Sequence, residues 1–188
     1  RGRVDLCAEV LRSALPFLRR GLLPNIYAAR PADSHYGSCD AALWFALAVQ
    51  RYADAGGDAG LVARELLPAL AAIAQAYREG TELGLAVDAA GLLRAGREDL
   101  NATWMDARTS RGPVTPRAGL PVEIQALWYS LLAFLAEHDA KTWTVARDRA
   151  GKAFVQQFWL ADGSWLADRV HDGLAVPEVR PNMLVAAA

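Results

Sequence analysis

Apolar positions recur at helical spacing over most of this chain. In residues 4–20, Val4, Leu6, Cys7, Val10, Leu11, Ala14, Leu15 and Leu18 form one stripe, and Arg19-Arg20 before Gly21 reads as a helix end with a glycine stop. Residues 22–38 mix turn formers with aromatics and predict a structured loop. Asp40 caps or opens a strongly apolar helix, AALWFALAVQRYA, closed by Gly56-Gly57. Asp58 then starts a helix with one polar side that runs to about Tyr77. After a long connection over residues 79–120 the pattern returns, with the apolar VEIQALWYSLLAFLA followed by the amphipathic KTWTVARDRAGKAFVQQFW. A third connection, residues 160–181, leads to MLVAAA.

A helix apolar on nearly every face, followed by an amphipathic one, predicts an inner and an outer helix packed as an αα-hairpin. Ala42-Leu43-Trp44-Phe45 and Ala126-Leu127-Trp128-Tyr129 repeat one local signature, each with a carboxylate near the helix start, so repeated αα-hairpins in an all-α domain over residues 1–188 are expected. Trp44 and Trp128 are assigned to the core. Connections of this length are more often functional than decorative, and each precedes an inner-type helix. The loops are therefore expected to gather at one end and hold the site.

Composition narrows the partners. With 53% hydrophobic residues, 22% charged and a net charge of −1, nothing favours nucleic acid or an anionic membrane; neutral or small polar partners fit better. No apolar run approaches a membrane span, and no signal-type segment opens the chain. Cys7 and Cys39 lie in helix-like stretches, so no disulfide framework is expected and a cytoplasmic, reducing setting is the simpler assumption. Asn101-Ala102-Thr103 is a formal glycosylation acceptor, read as chance. His35, His138 and His171 lack metal-binding spacing, and the glycines match no phosphate loop.

Candidate chemistry concentrates in NATWMDARTSRGPVTPRAGLPVEIQALWY, residues 101–129. Pro113, Pro116 and Pro121 restrict the loop, because each fixes φ and biases the residue before it. Glu123 falls in the first turn of the helix after Pro121, where the helix dipole favours an ionised carboxylate. Asp106, beside Trp104, Met105 and Ala107, is expected in drier surroundings that help it keep a proton. One carboxyl inclined to donate a proton and one inclined to stay charged suit acid catalysis. Arg117 is read as a ligand group or a partner of Glu123 or Asp106. Trp104 offers an aromatic face to a sugar ring.

A family resemblance rests on GLLPN at residues 21–25, Asp40-Ala41-Ala42-Leu43-Trp44-Phe45, Val87-Asp88 to Gly91-Leu92-Leu93, Thr103-Trp104-Met105-Asp106-Ala107, Thr115-Pro116-Arg117, Val122 through Tyr129, and Arg180-Pro181-Asn182, in this order. Together they resemble the C-terminal amylo-α-1,6-glucosidase domain of glycogen debranching enzymes over nearly the whole chain. The resemblance is most specific in TWMDA, TPR and VEIQALWY. It implies an (α/α)6 toroid, of which this chain would supply roughly half, as a piece truncated at both ends. The chain departs from the family pattern at Gly37, Cys39, Ala90 and Met183.

The resemblance implies that Asp106 is the general acid of an inverting hydrolase removing single α-1,6-linked glucose stubs from glycogen or a related branched α-glucan. Asp40, Trp104, Arg117 and Glu123 would line the sugar subsite, and no cofactor or metal would be required. An inverting pair stands roughly 6.5–9.5 Å apart, with the water between. The matching base lies on a later segment in relatives; Glu178 is the in-chain candidate and reads better as a solvated loop residue. Exposed apolar faces would be covered by the rest of the parent domain or by another copy. Two alternatives are a trehalase- or invertase-like (α/α)6 glycosidase and a non-catalytic helical-repeat binding module. A proline-locked Trp-Met-Asp loop argues against the last, since a scaffold has no need of one.

Overall fold

The computed structural model describes residues 3–96, 99–100, 102–160 and 165–187, and the fold is mostly helical. Helix α1 (Val4–Ala14) is shorter than its apolar stripe. Pro16 has no N–H to donate, and the chain tightens into a 3-10 turn at Leu15–Phe17. Arg20 and Gly21 then take positive φ, 48° and 81°, and turn the chain away. The stripe is also only half used: Leu11 is buried, whereas Leu6 and Val10 face outward.

Helix α2 (Ala41–Asp54) is followed by a single turn, α3 (Ala59–Leu61), a π-helical turn at Val62–Leu66 and helix α4 (Leu67–Glu79). Asp58 opens this run, its carboxylate accepting from the Gly60 and Leu61 N–H groups. The π turn sits where Pro68 cannot supply the next i→i−4 bond, and Leu67 N–H reaches back to the Val62 carbonyl. Helix α5 (Val122–His138) is buried around nearly its whole circumference, and α6 (Ala140–Phe158) buries one face through Trp143, Ala150, Ala153 and Phe158. A short α7 (Met183–Ala187) follows the Arg180-Pro181-Asn182 stretch. Helix α5 packs on α2, α4, α6 and α7, so it is the central element.

One expectation changes in the helices. Residues 59–79 form a continuous helical run long and apolar enough, by length and composition alone, to cross a membrane. Its alanines raise the mean hydropathy, and Leu61, Val62, Leu66, Leu70, Ile73, Ala74 and Tyr77 bury one face of it in the protein core.

The connections also depart from an all-helical reading, because they carry short antiparallel strands. β1 (Leu85–Val87) pairs with β2 (Leu93–Ala95), and β3 (Arg108–Thr109) with β4 (Gly112–Pro113). β5 (Leu120–Pro121), β8 (Arg169–His171) and β9 (Leu174–Val176) form a three-stranded sheet in the order β5-β8-β9, and β6 (Trp159–Leu160) pairs with β7 (Trp165–Leu166). Glycine-centred turns let these loops satisfy their backbone groups locally. Gly119 is required at one of them: its φ is +91°, and a Cβ there would lie 2.4 Å from the Val170 carbonyl oxygen.

The main core joins α1, α2, α4 and α5, with Trp128, Tyr77, Leu43 and Ile124 fully buried; a smaller one lies under the three-stranded sheet around Phe158, Val122 and Val170. Trp128 is core as expected, its indole N–H donating to the Gly91 carbonyl at 3.0 Å. Trp44 is not, at 39% exposure. With Leu47, Tyr129, Phe154 and Leu184 it lines an open, largely apolar groove of about 1070 Å³ between α2, α5, α6 and α7. Both cysteines are free, and burial pushes the Cys39 thiol well up.

Candidate active site: an exposed aspartate on a loop anchored by a buried ionic network

Asp106 lies on the loop between Thr103 and β3, and its side chain faces solvent. The dry setting expected from Trp104 and Met105 is absent, because Trp104 itself is 54% exposed and the Met105 side chain turns away toward Asn182. The backbone around Asp106 is nonetheless held on both sides. Trp104 N–H donates to Asp40 Oδ2 at 2.8 Å, Met105 N–H to Thr103 Oγ1 at 3.3 Å, and Val114 N–H to the Ala107 carbonyl at 2.9 Å. The β3–β4 turn fixes the downstream side.

Asp40 is buried and does not cap its own helix. Its two oxygens accept from Trp104 N–H and from the Ser38 hydroxyl, while Ser38 Oγ takes the Ala41 N–H at 3.2 Å. The serine therefore serves the helix start and leaves the aspartate free to hold the loop. Next door, the Cys39 N–H bonds the Ala102 carbonyl at 2.6 Å, a second tie between the start of α2 and the same loop.

The third anchor is ionic. Arg117, only 2% exposed, donates one terminal nitrogen to Glu123 Oε2 and the other to Asp168 Oδ2. Glu123 sits in the first turn of α5, as its sequence position implies, but burial pushes its carboxyl up and outweighs the pull of Arg117. Desolvation rather than the helix dipole sets the direction of that shift. Among the described residues, Glu123 Oε1 and Arg117 Nε meet no hydrogen-bond partner, so the cost of burying this pair is only partly offset.

Asp168 is the hub that sequence reasoning missed. It precedes β8, where its N–H bonds the Val176 carbonyl at 2.9 Å and its carbonyl takes the Val122 N–H at 3.0 Å, setting it opposite the start of α5. Besides its bond to Arg117, its carboxylate forms an ion pair with Arg180, Nε to Oδ2 at 3.3 Å, and accepts from Asn182 Nδ2 at 3.2 Å. Asn182 Oδ1 in turn accepts the Trp104 indole N–H at 3.1 Å. Glu123, Arg117, Asp168, Asn182 and Trp104 thus form one continuous chain of polar contacts. The local signal for Asp168 was slight: one of two charged residues between Ala167 and Val170, with its partner Arg117 far away in sequence.

Trp104 and Asp106 therefore face solvent, whereas Asp40, Arg117 and Glu123, expected to line a sugar subsite, lie buried and hold the loop from behind. Glu178 is exposed and pairs with Arg180, in keeping with a solvated loop glutamate. Gln125, in the same EIQAL run, clamps β2 to α5: its Oε1 accepts the Leu93 N–H and its Nε2 donates to the Leu93 carbonyl, both at 2.8 Å. Among the described residues, no group of three or more His, Cys, Asp or Glu side chains gathers to hold a metal ion. Asn101, the formal glycosylation acceptor, lies outside the described residues.

The family model described as amylo-alpha-1,6-glucosidase matches residues 1–188, and the chain belongs to that family. No curated protein matches it.

Proposed function

We propose that this member of the amylo-alpha-1,6-glucosidase family hydrolyses single α-1,6-linked glucose stubs on a branched α-glucan, with Asp106 as proton donor. The observation that carries the reading is a solvent-facing carboxyl on a backbone held on both sides, next to a half-exposed indole. A glucosyl ring seated on Trp104 would bring its glycosidic oxygen to the Asp106 carboxyl. Asp106 then gives its proton to the glycosidic oxygen as the bond to C1 breaks. Water attacks C1 from the opposite face in an inverting displacement, losing its proton to a base. Asp40, Glu123 and Arg117 contribute by keeping Trp104 and Asp106 in register rather than by touching sugar.

The finer architecture that goes with this reading is a set of αα-hairpins making roughly half of an (α/α)6 toroid. Support comes from the packing of α5 on α6 and of α2 on α5. The apolar groove beside Trp44 and Tyr129 would then receive a further hairpin or another copy.

The test is glucose release from a dextrin with single-glucose branch stubs, using the full-length protein. Asp106→Asn is expected to lower kcat by about 10²–10⁴-fold, the usual contribution of a general acid. Undiminished release by that variant would remove Asp106 from the reaction.

A further inference from the structure

We propose that Asn182 is a positioning residue for Asp106, an adaptor that ties the proton-donor loop to the buried ionic network. The inference rests on the reading of Asp106 as the acid. Asp168, held by two guanidinium groups, can only accept hydrogen bonds, and the Trp104 indole N–H can only donate. The two do not meet directly in the structure; a side chain with one donor end and one acceptor end joins them. The amide of Asn182 is that intermediary, because Nδ2 donates to Asp168 Oδ1 at 3.2 Å while Oδ1 accepts from Trp104 Nε1 at 3.1 Å. These two partners also settle which end of the amide is which.

Nδ2 further reaches Met105 Sδ at 3.4 Å. The two residues immediately before Asp106 are therefore both held by one side chain, itself 1% exposed. Asp40 fixes the backbone of Trp104, and Asn182 fixes its ring. Asn182 contacts no reacting atom in this scheme; it acts by limiting where the Asp106 carboxyl can point.

The experiment compares two substrates in the full-length protein. A branch-stub dextrin needs a proton on its leaving oxygen, whereas α-glucosyl fluoride releases fluoride without one. Asn182→Ala is expected to lower kcat on the dextrin by about 30- to 100-fold, the scale of a misplaced catalytic group. Its kcat on the fluoride should stay within about threefold of the parent, because no acid is needed there. Asp106→Asn should show the same selectivity more strongly; if it does not, the acid assignment itself fails. If Asp106→Asn is selective and Asn182→Ala lowers both substrates alike, or raises KM alone, the positioning role is overturned.

Asn182→Asp guards against simple misfolding, since it keeps size and shape. The introduced carboxyl faces Asp168, with Arg117, Arg180 and, beyond them, Glu123 and Glu178 as the other charged groups of the network. When protonated, its O–H can replace Nδ2 as donor to Asp168. Dextrin hydrolysis should therefore recover toward low pH and fall as pH rises, relative to fluoride hydrolysis in the same variant. A pH profile parallel on both substrates would count against the adaptor.

Discussion

The starts of α2 and α5 solve one problem in two ways. Each opens with a buried carboxylate, Asp40 at 5% exposure and Glu123 at 0%, and in neither case does that carboxylate cap its own helix. Asp40 is satisfied by neutral donors, a backbone N–H and a hydroxyl. Glu123 relies on Arg117, which it shares with Asp168 across a gap of many residues. The neutral anchor joins two segments and leaves neither carboxylate oxygen without a donor, whereas the ionic one spans three segments and leaves two buried atoms unpaired. A shared cation couples segments more widely, at a higher desolvation cost.

The same two helices carry matched tryptophans with different fates. Trp128 is sealed by α4 and the β1–β2 turn, at 1% exposure, while Trp44 faces the open groove. Burial here follows from neighbours, not from the local Ala-Leu-Trp-aromatic pattern.

The largest effects should separate the sites that have no substitute. Arg117→Met leaves Glu123 and Asp168 buried without their shared cation and should cost about 3–5 kcal/mol, read by denaturant unfolding. Trp128→Ala should cost about the same, for the cavity it opens, and Trp44→Ala clearly less because its ring is already partly in water. Equal losses at the two tryptophans would erase the contrast between the helices. Asp40→Asn keeps the shape but turns an acceptor into a donor opposite a hydroxyl or an N–H, and about 1–2 kcal/mol is expected. A loss as large as that of Arg117→Met would mean that the neutral anchor matters as much as the ionic one.

Glu123→Gln should be the mildest, since burial already favours the neutral form of this side chain and Arg117 retains Asp168. Its signature is in pH rather than size. The native carboxyl binds its proton more tightly than the unfolded one, whose value is near 4.5, so its contribution to stability is full below that point. The contribution is lost as pH rises through the elevated native value. The parent should therefore lose Tm over that window relative to Glu123→Gln, and parallel Tm–pH curves would show that Arg117 had kept Glu123 ionised throughout.

Periodicity alone located the helices α2, α4, α5 and α6, because a helix that buries a face must repeat its apolar residues at helical spacing whatever it packs on. It also drew attention to the Trp104–Asp106 loop and to Glu123 at its helix start, and the ordered motifs pointed to the family to which the chain belongs. Within local reach, prolines carried information that the stripe concealed: Pro16 ends α1 early and Pro68 accompanies a π turn. What no local pattern held was the charge accounting. Whether Glu123 keeps its proton depends on how much water is removed and on where Arg117 stands. Arg117 in turn is shared with Asp168, which β8 delivers from far along the chain. Asp106 ended in solvent rather than among its apolar sequence neighbours because Trp104 and Met105 were drawn to Asn182. Electrostatics and burial are sums over every segment that folds nearby, so only the assembled structure could decide them.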